Sequence, residues 1–136
     1  MARIRVVFVV LAIALVGAGA ALAGRIVEIG QLANGKTIVL NPTDRLVVSL
    51  PGNASTGYFW RIQKLNRRVV KFVSRTYVPP TPGKTGSTGK YVLRFRAVAV
   101  GTTPLRLVYV QSGNASAKPA KTFRVSLTVK SKPPVV

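Results

Sequence analysis

The sequence predicts an all-β protein: an immunoglobulin-like antiparallel β-sandwich of about seven strands, placed after an N-terminal signal segment. Three observations predict it. From residue 36 onward apolar residues recur with period two, the spacing of a sheet with one buried face. Clusters of Gly, Pro, Asn and Ser separate the alternating runs. No long i, i+3, i+4, i+7 stripe occurs beyond the first segment, so helices have no face on which to pack.

The first element is an address. Met1 to Arg5 carries two positive charges, and Val6 to Val16 is an uninterrupted apolar run. Small residues follow, ending in Ala21-Leu22-Ala23, an A-x-A cleavage pattern. Residues 1–23 therefore read as a signal peptide cut before Gly24, with an uncleaved N-terminal anchor as the alternative, and either reading places the remainder in the secreted or periplasmic and cell-envelope space. Losing Arg3 and Arg5 takes the formal charge from +19 to +17. Residues 24–35 read as a lead-in, 36–130 as the sandwich and 131–136 as a C-terminal tail.

Within the sandwich, Thr37 to Leu40 is a short first run. Arg45 to Leu50 then puts Leu46, Val48 and Leu50 on one face, and Tyr58 to Ile62 does so with Tyr58, Trp60 and Ile62. Val69 to Tyr77 alternates less regularly. Lys90 to Ala97 turns Tyr91, Leu93, Phe95 and Ala97 inward, with Lys90, Arg94 and Arg96 outward. Leu105, Leu107 and Tyr109 form the next inward row, and Phe123, Val125, Leu127 and Val129 the last.

Composition excludes more than it allows. The 136 residues include no His and no Cys, so a Ser-His-Asp triad, a thiol nucleophile and the usual zinc sites are out of reach. Glu28 and Asp44 are the only acids against 21 Lys and Arg, which leaves too few carboxylates for acid–base pairs or an all-oxygen metal cage. No catalytic residue, metal or cofactor is expected, and binding is the better premise. The outward cations Arg61, Arg94, Arg96, Arg106 and Arg124 read as a solvated sheet face. A nucleic-acid platform would interleave them with aromatics, and Phe59 is the one outward aromatic, so no specific nucleic-acid partner is expected. Anionic polymers or membrane surfaces remain the natural attraction of such a charge.

Three loops interrupt the alternation: 51–57 (PGNASTG), 79–89 (PPTPGKTGSTG) and 111–121 (QSGNASAKPAK). On a sandwich, alternate connections emerge at one end, so the three can form a composite surface. Asn53-Ala54-Ser55-Thr56-Gly57-Tyr58-Phe59-Trp60 resembles the Asn-Pro-Thr-Thr-Gly-Tyr-x-Trp motif of the chagasin family, inhibitors of papain-like cysteine peptidases. Ala54 stands where the family has proline. Gly86-Ser87-Thr88-Gly89 is similar to its Gly-x-Gly-Gly loop, with Thr88 in place of the middle glycine. Gly101 to Tyr109 is similar to its Gly-x-x-x-Leu-x-Leu-x-Tyr run. The family's Arg-Pro-Trp should follow Val110, and this chain has Gln111-Ser112-Gly113 there. The resemblance spans roughly residues 36–130, in the family's order of motifs and strands.

The resemblance implies a monomeric inhibitor, not an enzyme, whose three loops wedge into the cleft of a papain-like cysteine peptidase, the first loop over the catalytic Cys and His. On that reading Asn53, Ala54, Ser55, Thr56, Gly57 and Tyr58 form the inhibitory loop. Asn53 ties the loop to its own backbone, Ser55 and Thr56 offer hydroxyls, and Gly57 permits a positive φ. Trp60 anchors the loop in the core. Gly86 to Gly89 and Gln111 to Gly113 flank it. Two sequons, Asn53-Ala54-Ser55 and Asn114-Ala115-Ser116, lie on the same edge. The alternative function is a secreted or envelope-associated basic sandwich that binds polyanions without inhibiting anything.

Overall fold

The computed structural model describes residues 24–82, 88–114 and 118–131. Its strands are β1 (Ile26–Ile29), β2 (Thr37–Leu40), β3 (Arg45–Pro51), β4 (Tyr58–Leu65), β5 (Val70–Val78), β6 (Lys90–Ala97), β7 (Gly101–Gln111) and β8 (Lys121–Val129). They form two four-stranded sheets, ordered β1-β3-β6-β5 and β2-β8-β7-β4. This is the all-β, immunoglobulin-like sandwich that the alternation predicts. The inward rows meet between the sheets: Leu46, Val48, Leu50, Leu93 and Phe95 from one, Leu105, Leu107, Phe123 and Leu127 from the other, all essentially inaccessible. Each such side chain contributes about 1.5–3 kcal/mol relative to its exposed state.

Two details depart from expectation. Residues 24–35 are no mere lead-in, because β1 adds an eighth strand that pairs in parallel with β3, Ile26 opposite Arg45. β2 likewise pairs in parallel with β8, so the sheets are not wholly antiparallel. The chain switches sheets between β1 and β2 through a short 3-10 turn, Gln31–Ala33, and so covers one edge of each sheet. The irregularity of β5 also has a cause. Its pairing with β6 slips between Phe72 and Ser74, a bulge that leaves Val73 59% exposed.

Asp44, one of the two acids, is buried and fastens the first strand. Its carboxylate accepts from the Arg25 backbone N–H (3.0 Å), Arg25 Nε (3.1 Å) and Nη2 (2.8 Å), and the Asn41 backbone N–H (2.8 Å). It therefore does not meet Glu28 as an acid–base pair; it is held in the sole ion pair among the described residues. Next to it Thr43 has φ 73°, and a Cβ on Gly24 would lie 2.3 Å from the Thr43 carbonyl oxygen. Gly24 thus packs directly against the Thr43 backbone.

Candidate functional site

Strand register brings the three loops to one end of the sandwich. In the first sheet Pro51, at the end of β3, is opposite Lys90, and Lys90 is opposite Val78. In the second, Tyr58 at the start of β4 is opposite Gln111, and Tyr109 is opposite Lys121. The connections after β3, β5 and β7 therefore share one edge. Backbone bonds tie them together: the Gly52 N–H donates to the Gly89 carbonyl (3.0 Å), and the Ser112 N–H to the Gly57 carbonyl (2.8 Å).

The first loop is wound on itself. Ala54–Thr56 is a single 3-10 turn capped by Asn53, whose Oδ1 accepts from the Ser55 N–H (3.0 Å) and the Ser55 hydroxyl (2.6 Å). Thr56 Oγ1 donates to the Asn53 carbonyl at 2.7 Å. Gly57 closes the turn at φ 82°, a conformation that side chains other than glycine's resist. Asn53 and Gly57 take the geometry read from sequence. Both hydroxyls donate within the loop and so stiffen it, and each oxygen keeps acceptor capacity. Residues Asn53 to Gly57 are all exposed.

Beneath the loops lies an aromatic floor. All four tyrosines and the only tryptophan of the chain gather here. Tyr109 stacks on Tyr58 (centroids 5.2 Å) and against Trp60 (5.0 Å), and Tyr77 packs on Tyr91 (4.9 Å). Their polar ends hold the loop bases. Tyr109 Oη accepts from the Asn53 N–H (2.9 Å), Tyr91 Oη donates to the Tyr58 carbonyl (2.8 Å), and Trp60 Nε1 donates to the Pro51 carbonyl (3.0 Å). Burial, then the neighbouring Tyr109 and Tyr77, raises the Tyr91 pKa above the ordinary tyrosine value, against a lowering by Arg75.

Two glycines permit this approach. A Cβ on Gly52 would sit 2.7 Å from a Tyr91 ring carbon, and one on Gly89 would sit 2.3 Å from the Tyr77 hydroxyl. Sequence reading singled out Gly89 but not Gly52. The available signal was the placement of inward tyrosines at the loop ends of β4, β5, β6 and β7. Of the second loop's expected residues, Thr88 is exposed and Gly89 buried, while Gly86 and Ser87 lie outside the described residues. In the third loop Gln111, Ser112 and Gly113 are exposed, and Gly113 has φ 83°. Where the family has Arg-Pro-Trp, this chain uses the Ser112 N–H, which a proline would lack, and a glycine at positive φ.

A sandwich that presents a self-bonded, exposed turn at one end, beside the bases of two further loops, has the form of a loop-presenting binding protein. The chain belongs to the chagasin family of peptidase inhibitors, family I42, whose model matches residues 39–127 and so takes in all three loops. It is an inhibitor by family and not an enzyme. Among solved structures it is similar to the cysteine protease inhibitor EhICP2 from Entamoeba histolytica, at 22% identity and TM-score 0.69, over 77% of this chain and 96% of that one. It is also similar to amebosin in solution, at 26% identity and TM-score 0.61, over 77% of this chain and 97% of that one. No curated protein matches it by sequence.

Proposed function

We propose that this chain inhibits papain-like cysteine peptidases as a monomer, by placing the Asn53–Gly57 turn in the substrate cleft with loops 79–89 and 111–121 on either side. The observation that carries the reading is the self-bonded turn on its aromatic floor. A peptide is cleaved when its backbone is drawn out along the cleft. Here that would first break the Asn53–Ser55 and Thr56–Asn53 bonds and pull Asn53 off Tyr109, so the loop occupies the site as a poor substrate. Its stiffness before contact also lowers the entropic cost of binding. The export signal in residues 1–23, which lies outside the described residues, supports an extracytoplasmic or secreted peptidase as the target and a mature N-terminus at Gly24.

Titrating papain with the protein from Gly24 onward tests the reading. Saturable loss of peptidase activity is expected. Thr56→Arg should abolish inhibition while leaving the fold intact, because Thr56 is exposed at the tip and a long cation cannot enter a narrow cleft. Full inhibition by a folded Thr56→Arg protein would remove the turn from the mechanism.

A further inference from the structure

The sheets' outward faces hold two rows of like charge that the inhibitory reading does not use. On the first sheet Arg45 is directly opposite Arg96, and Arg96 directly opposite Lys71, with Arg94 one step along β6. On the second sheet Lys64 is opposite Arg106, and Arg106 opposite Arg124. Lys36 joins this second row around a shallow depression of about 360 Å³, lined also by Pro104 and Ser126. Like charges directly opposite one another destabilise a sheet. No acid is paired with any of these cations among the described residues, where the one ion pair is Arg25–Asp44. Arg106 Nε is buried there without a hydrogen-bond partner. Two sheets thus keep, at matching depths, an arrangement that an anion would relieve.

We infer that the two rows are docking faces for a linear anionic polymer bearing sulfate, phosphate or carboxylate groups. Geometry favours a polymer over a lipid surface. The rows lie on opposite outer faces of the sandwich, so a planar bilayer could meet one of them, whereas flexible chains can engage both. Within a row the three cations span roughly 10 Å across neighbouring strands. Nucleic acid is disfavoured because the outward Phe59 ring is already covered by the Arg75 guanidinium, 4.7 Å from its centroid, which removes it as a base-stacking platform. The rows lie five to six residues down the strands from the loop end, about 17–20 Å away, so a bound polymer leaves the inhibitory edge free.

The test uses dextran sulfate as polymer and phosphatidylglycerol-containing vesicles as the lipid comparison, with no peptidase present. Lys64→Gln/Arg124→Gln and Arg45→Gln/Lys71→Gln each empty two positions of one row; Arg67→Gln/Arg68→Gln removes the same charge from the exposed β4–β5 turn. Each row variant should bind dextran sulfate about tenfold more weakly at moderate salt, with a salt slope lower by about 1.4. The turn variant should change less than about twofold. Wild type should also cross-link polymer into light-scattering complexes, and either row variant should lose this. An equal loss in the turn variant would reduce the effect to net charge and overturn the inference. Binding to vesicles without binding to polymer would overturn it as well. Papain inhibition by the row variants should be unchanged, so either reading can fail alone.

Discussion

Replacing Gly52 with alanine isolates the contact between the first loop and its aromatic floor. The new Cβ would lie 2.7 and 2.9 Å from two Tyr91 ring carbons and 3.3 Å from a Tyr109 carbon, against ordinary carbon contacts of about 3.5–4.0 Å. Neither ring can simply swing aside. Tyr91 is tethered to the Tyr58 carbonyl and Tyr109 to the Asn53 N–H. Overpacking costs about 1–3 kcal/mol, and a strained or broken Tyr91 bond about 0.5–1.5 more. The reduced freedom of the unfolded chain returns about 0.4–1 kcal/mol. The net is about 2 kcal/mol, or roughly 10 °C in Tm for a domain of this size. Thermal unfolding followed by circular dichroism reads the stability, and papain titration reads the loop, which should lose affinity because its base has moved. Combining Gly52→Ala with Tyr91→Leu should cost less than the two single changes together, since the smaller side chain makes room. A Gly52→Ala protein within about 0.5 kcal/mol of wild type, inhibiting papain normally, would refute the reasoning.

Ser112→Pro removes the N–H that bonds the Gly57 carbonyl, so inhibition should weaken by about two- to tenfold with the fold retained, as inhibition constants would show. Asp44→Ala leaves four donors unpartnered where β1 enters the sheet and should destabilise by about 3 kcal/mol, reduced from the fully buried case because the Arg25 side chain is more than half exposed; urea unfolding checks it. Tyr91 has a raised pKa, so the folded state holds its proton longer than the unfolded chain does, and its stabilisation is present below about pH 10 and lost as the pH rises beyond. Urea midpoints at pH 8 and pH 11 should fall more for wild type than for Tyr91→Phe.

Most of the sandwich is legible because its strands are half-buried and antiparallel, which writes period two directly into Arg45–Pro51, Lys90–Ala97 and Lys121–Val129. β1 is not, because four residues, Ile-Val-Glu-Ile, are too few to show a period and their partner is distant in sequence. β5 misleads because its bulge turns Val73 outward and breaks the parity. At the loop end, the Asn cap and the positive-φ glycine were readable, being local backbone requirements. The tyrosine floor and the need for Gly52 were not. Tyr91 comes from one sheet and Tyr58 and Tyr109 from the other, and only the packing of sheet on sheet brings them together.

The pairing of β2 with β8 has a consequence for the order of events. The strand that begins the second sheet finds its partner in the last strand of the chain, and the Arg124 N–H bonds Asn34 Oδ1 across a separation of 90 residues. Contacts of such long sequence separation form slowly, after the entropy of closing the intervening loop has been overcome. The second sheet therefore cannot close on a partly emerged chain. Until β8 arrives, the free edge of β7 and the whole of β2 stand open, while β1 can already pair with β3 in the first sheet. The two sheets of the sandwich therefore finish at different times, the first once β6 has paired with β3 and β5, the second only when β8 inserts between β7 and β2.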